Sequence, residues 1–191
     1  MIVIKIGGSL CSGVHLHEWI NQITQIKNKP VIIVPGGGPF AEAVRSIDKK
    51  FGLTPECSHD MAVMAMQQYG RMICDFNSKL PFVETTQALR EANSPCVWAP
   101  YSLVNTDCHY PKNWQTTSDS LSVWLAIYLQ SSHLCLVKSA QITADHDVII
   151  NSDLVDGYFS TALGEYQGEC HFYHDSEAAK FIQHIDSGKF A

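Results

Sequence analysis

The chain has 191 residues, of which 46% are hydrophobic and 17% charged, and its formal net charge is -6. This length supports one sizeable hydrophobic core and is short for two, so we expect a single domain spanning residues 1–191. Because 13 Lys and Arg residues stand against 19 Asp and Glu, the composition argues against the basic surface that nucleic-acid binding needs, and we expect no nucleic-acid partner.

The first quarter of the chain alternates predicted strands with predicted helices. An apolar run from Ile2 to Ile6 predicts a buried strand, and apolar residues at helical spacing predict a helix from Leu16 to Ile26. A second buried strand is predicted at Val31 to Val34. The glycine-rich turn of residues 35–39 follows it and leads into a helix that ends near Phe51.

The middle of the chain is predicted to be mainly helical. The Met-rich stretch from His59 to Phe76 predicts a long helix with apolar groups on more than one face, which indicates deep burial or a subunit contact. Glu84 to Asn93 predicts another helix, and Cys96 to Ala99 a short strand. Tyr101 to Thr117 has few periodic apolar positions, so we expect a long loop there.

The last third returns to alternating elements. Ser118 is the predicted N-cap of a buried helix that runs through Leu129, and Leu134 to Val137 is the next buried strand. Short strands are predicted near Val148 to Ile150 and at Cys170 to Tyr173, before a closing helix from Ser176 to Ile185. Buried strands separated by helices indicate an α/β fold with a parallel-type sheet and helices on both faces.

Cysteine usage and hydropathy predict a cytoplasmic protein. The seven cysteines are odd in number and form no CxxC pair, so we expect neither a disulfide framework nor a zinc knuckle. The longest strongly apolar stretch, Leu121 to Leu129, is too short to cross a bilayer. The first residues lack a basic leader region, and Lys5 interrupts their apolar run, so we expect no secretory signal and no membrane partner.

Two glycine-rich turns follow predicted strands, at the sheet edge where such folds bind ligands. Gly7 and Gly8 allow the backbone to come close to an anion, and Lys5 lies within reach of the same group. The turn of residues 35–39 admits three interpretations. It is a purely structural turn, a dinucleotide fingerprint in the frame G-x-G-x-x-A, or an anion or substrate cradle at a helix N-terminus.

Asp119 and Lys138 each have an ordinary explanation when considered alone. Asp119 is a first-turn acid that interacts with a helix dipole, and Lys138 ends an apolar strand and extends its charge into water. Together with Lys5 they fit phosphoryl transfer, which depends on positioning and charge neutralisation. A lysine from each side neutralises the moving phosphoryl group, and a carboxylate between them holds both ammonium groups in place.

The ordered set of motifs resembles the amino acid kinase superfamily over nearly the whole chain. The matching segments are KIGGS at residues 5–9, PGGG at residues 35–38, SDSLS at residues 118–122 and VK at residues 137–138. The segments VPGGGPFAEAVR, AVMAMQQYG and WQTTSDSLSVW, together with the short length, resemble its small aspartokinase-like branch. The resemblance implies a three-layer αβα sandwich with a mainly parallel central sheet, and transfer from MgATP, that is ATP with Mg²⁺, to a carboxylate, a carbamate or a phosphate monoester.

The resemblance also implies residue roles. Lys5 would contact the transferring phosphoryl group, Asp119 would organise the two lysines, and Lys138 would hold the ATP phosphates. From the resemblance and from neighbouring positions we assign a phosphate- and ATP-binding set of Gly7, Gly8, Ser9, Lys138 and Ser139, and an acceptor-binding set of Gly36, Gly37, Gly38 and Arg45. Arg45 and Arg71 are the basic residues best placed for an acceptor anion, although each equally fits a solvated helix face.

Two features depart from or lie outside this pattern. Larger members of the family commonly carry a D-V-D-G segment soon after the second lysine. Here a D-L-V-D-G segment comes only at residues 153–157, so we assign no adenine contacts. The pairs His15/His17 and His171/His174 have the spacing of metal ligands but no partner cluster in sequence, so we assign no metal ligand.

We therefore expect a cytoplasmic, MgATP-dependent kinase that converts a small phosphate monoester into a diphosphate. The branch implies that the acceptor is aminomethylfuranmethyl phosphate, in the biosynthesis of methanofuran- or methylofuran-type C1 carriers. The Met-rich helix and the habit of the family suggest a homodimer. Two alternatives stay open at this stage: a carboxylate kinase that forms an acyl phosphate, and a non-catalytic nucleotide- or oxyanion-binding protein on the same fold.

Overall fold

A computed structural model describes residues 1–141, 146–150 and 152–190. The strands among them are β1 Ile2–Ile6, β2 Val31–Pro35, β3 Phe82–Val83, β4 Cys96–Trp98, β5 His133–Lys138 and β6 Glu169–His174. They form one sheet in the order β3-β4-β2-β1-β5-β6, and every neighbouring pair is parallel. All carboxyl ends therefore meet at one edge of the sheet, as the predicted parallel sheet requires.

The helices pack on both faces of this sheet. They are α1 Leu16–Ile23, α2 Gly38–Phe51, α3 Pro55–Phe76, α4 Thr86–Arg90, α5 Pro100–Asp107, α6 Ser118–Tyr128, α7 His146–Ile150, α8 Phe159–Glu165 and α9 Ala178–Asp186, with short 3₁₀ turns at Gly8–Ser12 and Asp175–Glu177. No helix in the described part of the chain is long and apolar enough to cross a bilayer.

Two apolar clusters lie on opposite faces of the sheet, because successive strand residues point to opposite sides. On β1, Val3 belongs to the cluster that includes buried residues of α6 and α8, whereas Ile2 and Ile4 belong to the cluster that includes residues of α1 and α9. The predicted three-layer αβα sandwich is thereby confirmed, with two cores separated by a sheet that is buried on both sides.

Helix α3 has the multi-faced apolar surface that its sequence predicted. Val63 and Met66 pack in one apolar cluster, and Tyr69 and Ile73 in the other. Its start is well defined, since the Thr54 side chain accepts a hydrogen bond from the backbone N–H of Cys57 at 3.2 Å. The apolar faces of α3 are therefore used largely within the chain.

Several local predictions were wrong. The stretch predicted as a loop begins with α5, which starts with a proline and buries Leu103 and Val104. Residues near 148–150, predicted as a strand, lie in α7, where Ile149 is buried, so packing overrides the β preference of Val and Ile. The two-residue strand β3 was not predicted because it is too short to show periodicity.

Candidate active site

Lys5, Asp119 and Lys138 come together at the carboxyl edge of the sheet. The Lys5 Nζ lies 2.8 Å from Oδ1 of Asp119, and the Lys138 Nζ donates to both carboxylate oxygens at 2.7 Å. The three residues are 4%, 6% and 9% exposed, respectively. One carboxylate thus bridges two nearly buried ammonium groups, which is the arrangement that the sequence predicted from three separate segments.

Strand pairing and helix position explain why these side chains meet. Lys5 is the fourth residue of β1, Lys138 is the last residue of β5, and β1 and β5 are hydrogen-bonded neighbours. Asp119 is the second residue of α6, which packs over both strands. The sheet supplies the two lysines from adjacent strand ends, and the helix brings the carboxylate down between them.

The electrostatics of the triad follow from burial and mutual attraction. Burial by itself would raise the pKa of Asp119, but the ammonium groups of Lys5 and Lys138 outweigh it and lower that pKa to about 2. Burial and the neighbouring Lys5 lower the pKa of Lys138 to about 8, although Asp119 and Asp156 oppose the shift. At neutral pH the carboxylate is ionised and Lys138 remains mostly protonated.

The amino terminus of α6 is capped by a residue from a distant part of the chain. The Asp156 carboxylate accepts hydrogen bonds from the backbone N–H and hydroxyl of Thr117, both at 2.8 Å. It also accepts from the backbone N–H of Ser120 at 3.0 Å and from the Ser120 hydroxyl. The predicted cap, Ser118, is instead the first helical residue, and Thr117 occupies the N-cap position. Asp156 therefore satisfies the free N–H groups that would otherwise lack partners there.

The two glycine-rich turns pack directly against each other. A Cβ placed on Gly8 would collide with the backbone of Gly38, and one placed on Gly36 would collide with the backbone of Gly8. Gly38 also has a φ of 54°, in the left-handed region that favours glycine. These glycines are required by close backbone approach, which holds the amino terminus of α2 beside the turn that follows β1.

A cleft of about 470 Å³ lies beside these turns. Its lining includes Gly8, Ser9, Gly37, Gly38, Arg45, Trp114, Thr117 and Ser118. The Arg45 guanidinium carbon lies 4.0 Å from the centre of the Trp114 ring, and the Trp114 Nε1 donates to Asp48 at 2.6 Å. Arg45 is thus placed at the cleft on an aromatic support, with its Nε 3.4 Å from a carboxylate oxygen of Glu42.

The remaining predicted site residues divide between this region and elsewhere. The Ser139 hydroxyl donates to the Ser9 hydroxyl at 2.6 Å, which joins the end of β5 to the turn after β1. Arg71, in contrast, packs on the Phe82 ring at 4.5 Å and lines a separate depression with Tyr101. The structure therefore places Arg71 outside the cleft, beside Phe82 and Tyr101.

Sequence reasoning missed Asp156 and Trp114 as parts of this region. Asp156 lies in the D-L-V-D-G segment, which was noticed as displaced but given no role, because nothing local shows that it caps a helix 36 residues earlier. Trp114 was quoted within a motif and not considered further. Its contacts with Arg45 and Asp48 join a loop to α2, and no sequence periodicity reports them.

Comparisons with known proteins agree with this architecture. The amino acid kinase family profile matches residues 1–82. A curated relative, [5-(aminomethyl)furan-3-yl]methyl phosphate kinase from Methanocaldococcus jannaschii, is 29% identical over 152 residues, which cover 78% of this chain and 68% of the relative.

Solved structures with the same fold include two classes of kinase. The uridylate kinase of Archaeoglobus fulgidus has a TM-score of 0.68 at 13% identity and covers 95% of both chains. The UMP kinase of Ureaplasma parvum has a TM-score of 0.72 at 16% identity, covering 98% of this chain and 95% of the other. An isopentenyl phosphate kinase in complex with substrate has a TM-score of 0.61 at 13% identity, covering 100% and 97%. At these identities the comparisons establish a shared fold.

Proposed function

We propose that this chain, which has the fold of the amino acid kinase family, is an ATP-dependent kinase that phosphorylates a small phosphate monoester. The profile of that family matches residues 1–82. The observation that carries the proposal is the buried Lys5–Asp119–Lys138 triad at the carboxyl edge of the sheet. We further propose that the acceptor is [5-(aminomethyl)furan-3-yl]methyl phosphate, or a close analogue of it, since a relative bears that name.

The triad supplies positive charge where a phosphoryl group would move. Two ammonium groups and one carboxylate leave a net charge of about +1 in a nearly dry position. Phosphoryl transfer spreads negative charge over the equatorial oxygens of the moving group, and preorganised cations stabilise that charge without having to reorganise. Lys5 and Lys138 take this role, while Asp119 keeps two like charges together by binding both of them.

The state of Asp119 restricts the acceptor chemistry. Its lowered pKa and its two ion pairs make it a poor general base, because its lone pairs are committed and its affinity for protons is low. An alcohol acceptor needs a base to remove its proton. A phosphate monoester, with a second pKa of about 6, presents an oxygen that is already ionised at neutral pH. The triad therefore favours acceptors that are already anionic.

ATP fits the residues beside the triad. The Ser139 hydroxyl donates to the Ser9 hydroxyl and so joins the turn after β1 to the end of β5, where the Lys138 ammonium lies. When bound, Mg²⁺ neutralises charge on the ATP phosphates. Asp119 and Asp156, the carboxylates that the described residues place around the triad, are already engaged, so we propose that Mg²⁺ enters on the ATP phosphates.

We propose that the acceptor binds in the cleft lined by the two glycine turns and Trp114. The amino terminus of α2 begins at Gly38 and carries no side-chain cap, so its N–H groups and dipole favour an anion. Arg45 lies on the same helix, with its guanidinium over the Trp114 ring, and adds its charge to the partial positive charge of the α2 amino terminus. Transfer then forms a bond from an acceptor oxygen to the γ-phosphorus of ATP, and the bond from that phosphorus to the β,γ-bridging oxygen breaks.

Phosphorus NMR with MgATP and the furan phosphate tests the proposal. We expect ADP together with a new pair of diphosphate signals, and we expect Lys5→Ala and Lys138→Ala to lose turnover while remaining folded by circular dichroism. Near-normal turnover in either variant would contradict the proposed catalytic role of the triad. If the protein binds ATP but transfers phosphate to no acceptor in a panel of phosphates and carboxylates, the result would indicate a non-catalytic nucleotide-binding protein.

A hydroxylamine trap separates the two kinase reactions. A carboxylate acceptor gives an acyl phosphate, which hydroxylamine converts to a hydroxamate, whereas a diphosphate product does not react in this way. If hydroxamate forms with amino acid acceptors and phosphate monoesters accept no phosphoryl group, the acceptor is a carboxylate. The proposed role of the triad would be unchanged by that result.

A further inference from the structure

Two histidines and a glutamate cluster at the edge of the sheet opposite the triad. His133 is the first residue of β5, Glu169 is the first residue of β6, and the two are register partners. His171 is two residues beyond Glu169 on the same strand, so all three side chains point to one face of the sheet. At about 3.3 Å per residue, the length of β5 separates His133 from Lys138 by roughly 16 Å.

The ligand atoms of this cluster have the spacing that a small cation requires. His171 Nε2 lies 3.4 Å and His133 Nδ1 3.8 Å from the same glutamate oxygen, Oε2 of Glu169. One candidate atom from each of the three residues lies within 4.8 Å of the other two. Tetrahedral zinc with bonds of about 2.0 to 2.1 Å separates its ligand atoms by about 3.3 Å, so the observed spacings close around the ion with small side-chain movements.

We propose that His133, Glu169 and His171 form a binding site for a divalent transition-metal ion of the zinc class, separate from the catalytic triad. Two imidazoles and one carboxylate are a ligand set that suits Zn²⁺, and water supplies the fourth ligand on the exposed side. The site does not depend on the kinase reaction and lies at the other end of the same strands.

The surroundings of the two rings support a preformed site. The side chains of His133 and His171 are 8% and 13% exposed, whereas that of Glu169 is 67% exposed, so the imidazoles are held in place and the carboxylate is free to adjust. The Phe190 ring packs against both imidazoles, with centroid distances of 4.9 Å to His133 and 5.0 Å to His171. Apolar packing of this kind fixes ligand orientation and limits the access of water.

Access for the ion comes from solvent at Glu169, whose side chain is 67% exposed. His133 and Glu169 line a depression of about 590 Å³ that is bounded by the end of α6, by the turn that follows α8 and by the start of β6. The other walls of this depression come from α6 and α8, on the face of the sheet opposite the three side chains, so an ion reaches the carboxylate from solvent at the end of the strands.

The histidine pair suggested by sequence spacing does not form. His174 lies three residues beyond His171 on a strand, which places the two side chains on opposite faces. The His174 ring instead interacts with Asp175 and Ser176 at the carboxyl end of β6. His171 has its ring neighbour on the adjacent strand, where His133 lies 5.8 Å away between ring centroids. Strand geometry therefore places His171 beside His133 and not beside His174.

Zinc titration of the full chain tests this site. The protein, freed of any tag and treated with chelator, is titrated with Zn²⁺ by calorimetry without nucleotide or Mg²⁺, and with Co²⁺ by absorption spectroscopy. We expect one equivalent to bind and the melting temperature to rise. Glu169→Gln and His171→Asn should weaken binding at least about tenfold. His15→Asn is the matched control, since the His15 ring also lies 3.4 Å from a glutamate, Glu18, and among the described residues it belongs to no group of three metal-ligating side chains.

Three results would overturn the proposal. The first is no saturable Zn²⁺ binding by the native chain. The second is binding that both Glu169→Gln and His171→Asn leave unchanged. The third is a thiolate-to-cobalt absorption band, which would place the ion at cysteines instead. Because Glu169 is largely exposed, Glu169→Gln preserves the fold, and its melting temperature without metal verifies this.

Discussion

Replacing Asp119 by asparagine removes the negative charge that bridges the Lys5 and Lys138 ammonium groups. Lys138 Nζ lies 2.7 Å from each carboxylate oxygen, and at an effective dielectric constant of about 20 a charge pair at that distance interacts by about 6 kcal/mol. Even a quarter of that energy, about 1.5 kcal/mol, corresponds to about one pKa unit. The pKa of Lys138, now about 8, should therefore fall to about 7 or below in Asp119→Asn.

The pH dependence of kcat/KM reports this shift, because it follows ionisations of the free enzyme. In the native protein we expect kcat/KM to fall as the pH rises through about 8, as Lys138 loses its proton. In Asp119→Asn the same decrease should begin at least about one pH unit lower. At neutral pH, kcat should fall by about 10² to 10³, as when one preorganised group that stabilises transition-state charge is lost, with a smaller change in KM. A coupled assay for ADP over a range of pH measures both quantities.

The matched control is Asp60→Asn. Asp60 also pairs with a lysine, since its Oδ1 lies 3.5 Å from Lys112 Nζ, but that pair is partly exposed and should matter little. If the alkaline decrease of Asp119→Asn coincides with that of the native protein, Lys138 is not the group that titrates. A raised KM with an unchanged kcat would indicate that Asp119 serves only to begin α6.

Further predictions concern the framework of the site. Asp156→Asn should lower the free energy of unfolding by about 1 to 3 kcal/mol in urea, because the cap of α6 loses its charge and one acceptor; an unchanged midpoint would contradict this. Gly36→Ala should destabilise by about 1 to 3 kcal/mol through backbone collision, whereas Gly164→Ala, with open space within α8, should stabilise by about 0.5 to 1 kcal/mol. In the folded protein the pKa of Asp119 is lowered from 3.8 to about 2. The ionised Asp119 should therefore contribute about 2 kcal/mol to the free energy of unfolding above about pH 4, and this contribution is lost as the pH falls to about 2. Acid unfolding of Asp119→Asn should lack this loss.

Sequence patterns predicted the sheet and the triad because their signals are local. A buried parallel strand is a short apolar run, and residues that follow such runs share one sheet edge, so Lys5, Lys138 and the glycine turns were predictable from their positions alone. Asp119 followed from its place at the start of a strongly apolar helix. Considered alone, Asp119 and Lys138 each fitted an ordinary structural explanation, and only the combination with Lys5 and the family resemblance joined them into one site.

The missed features depend on contacts between distant segments. The cap of α6 comes from Asp156, and the cluster at the opposite edge joins His133 to Glu169 and His171 across two strands. The sequence predicted a loop where α5 forms and a strand where α7 forms, and side-chain burial favours a helix in both places. Contacts of this kind depend on strand register and on packing, so the periodicity of the sequence does not predict them.

The position of β1 at the centre of the sheet has a consequence for synthesis on the ribosome. β1 is made first, yet one of its two neighbours is β5, which ends at Lys138. Until that neighbour emerges, the early strand has one edge without its native partner, and Lys5 has no carboxylate to offset its burial. Native pairing must await translation through Lys138, so the nascent protein spends that interval with a strand edge open to incorrect association.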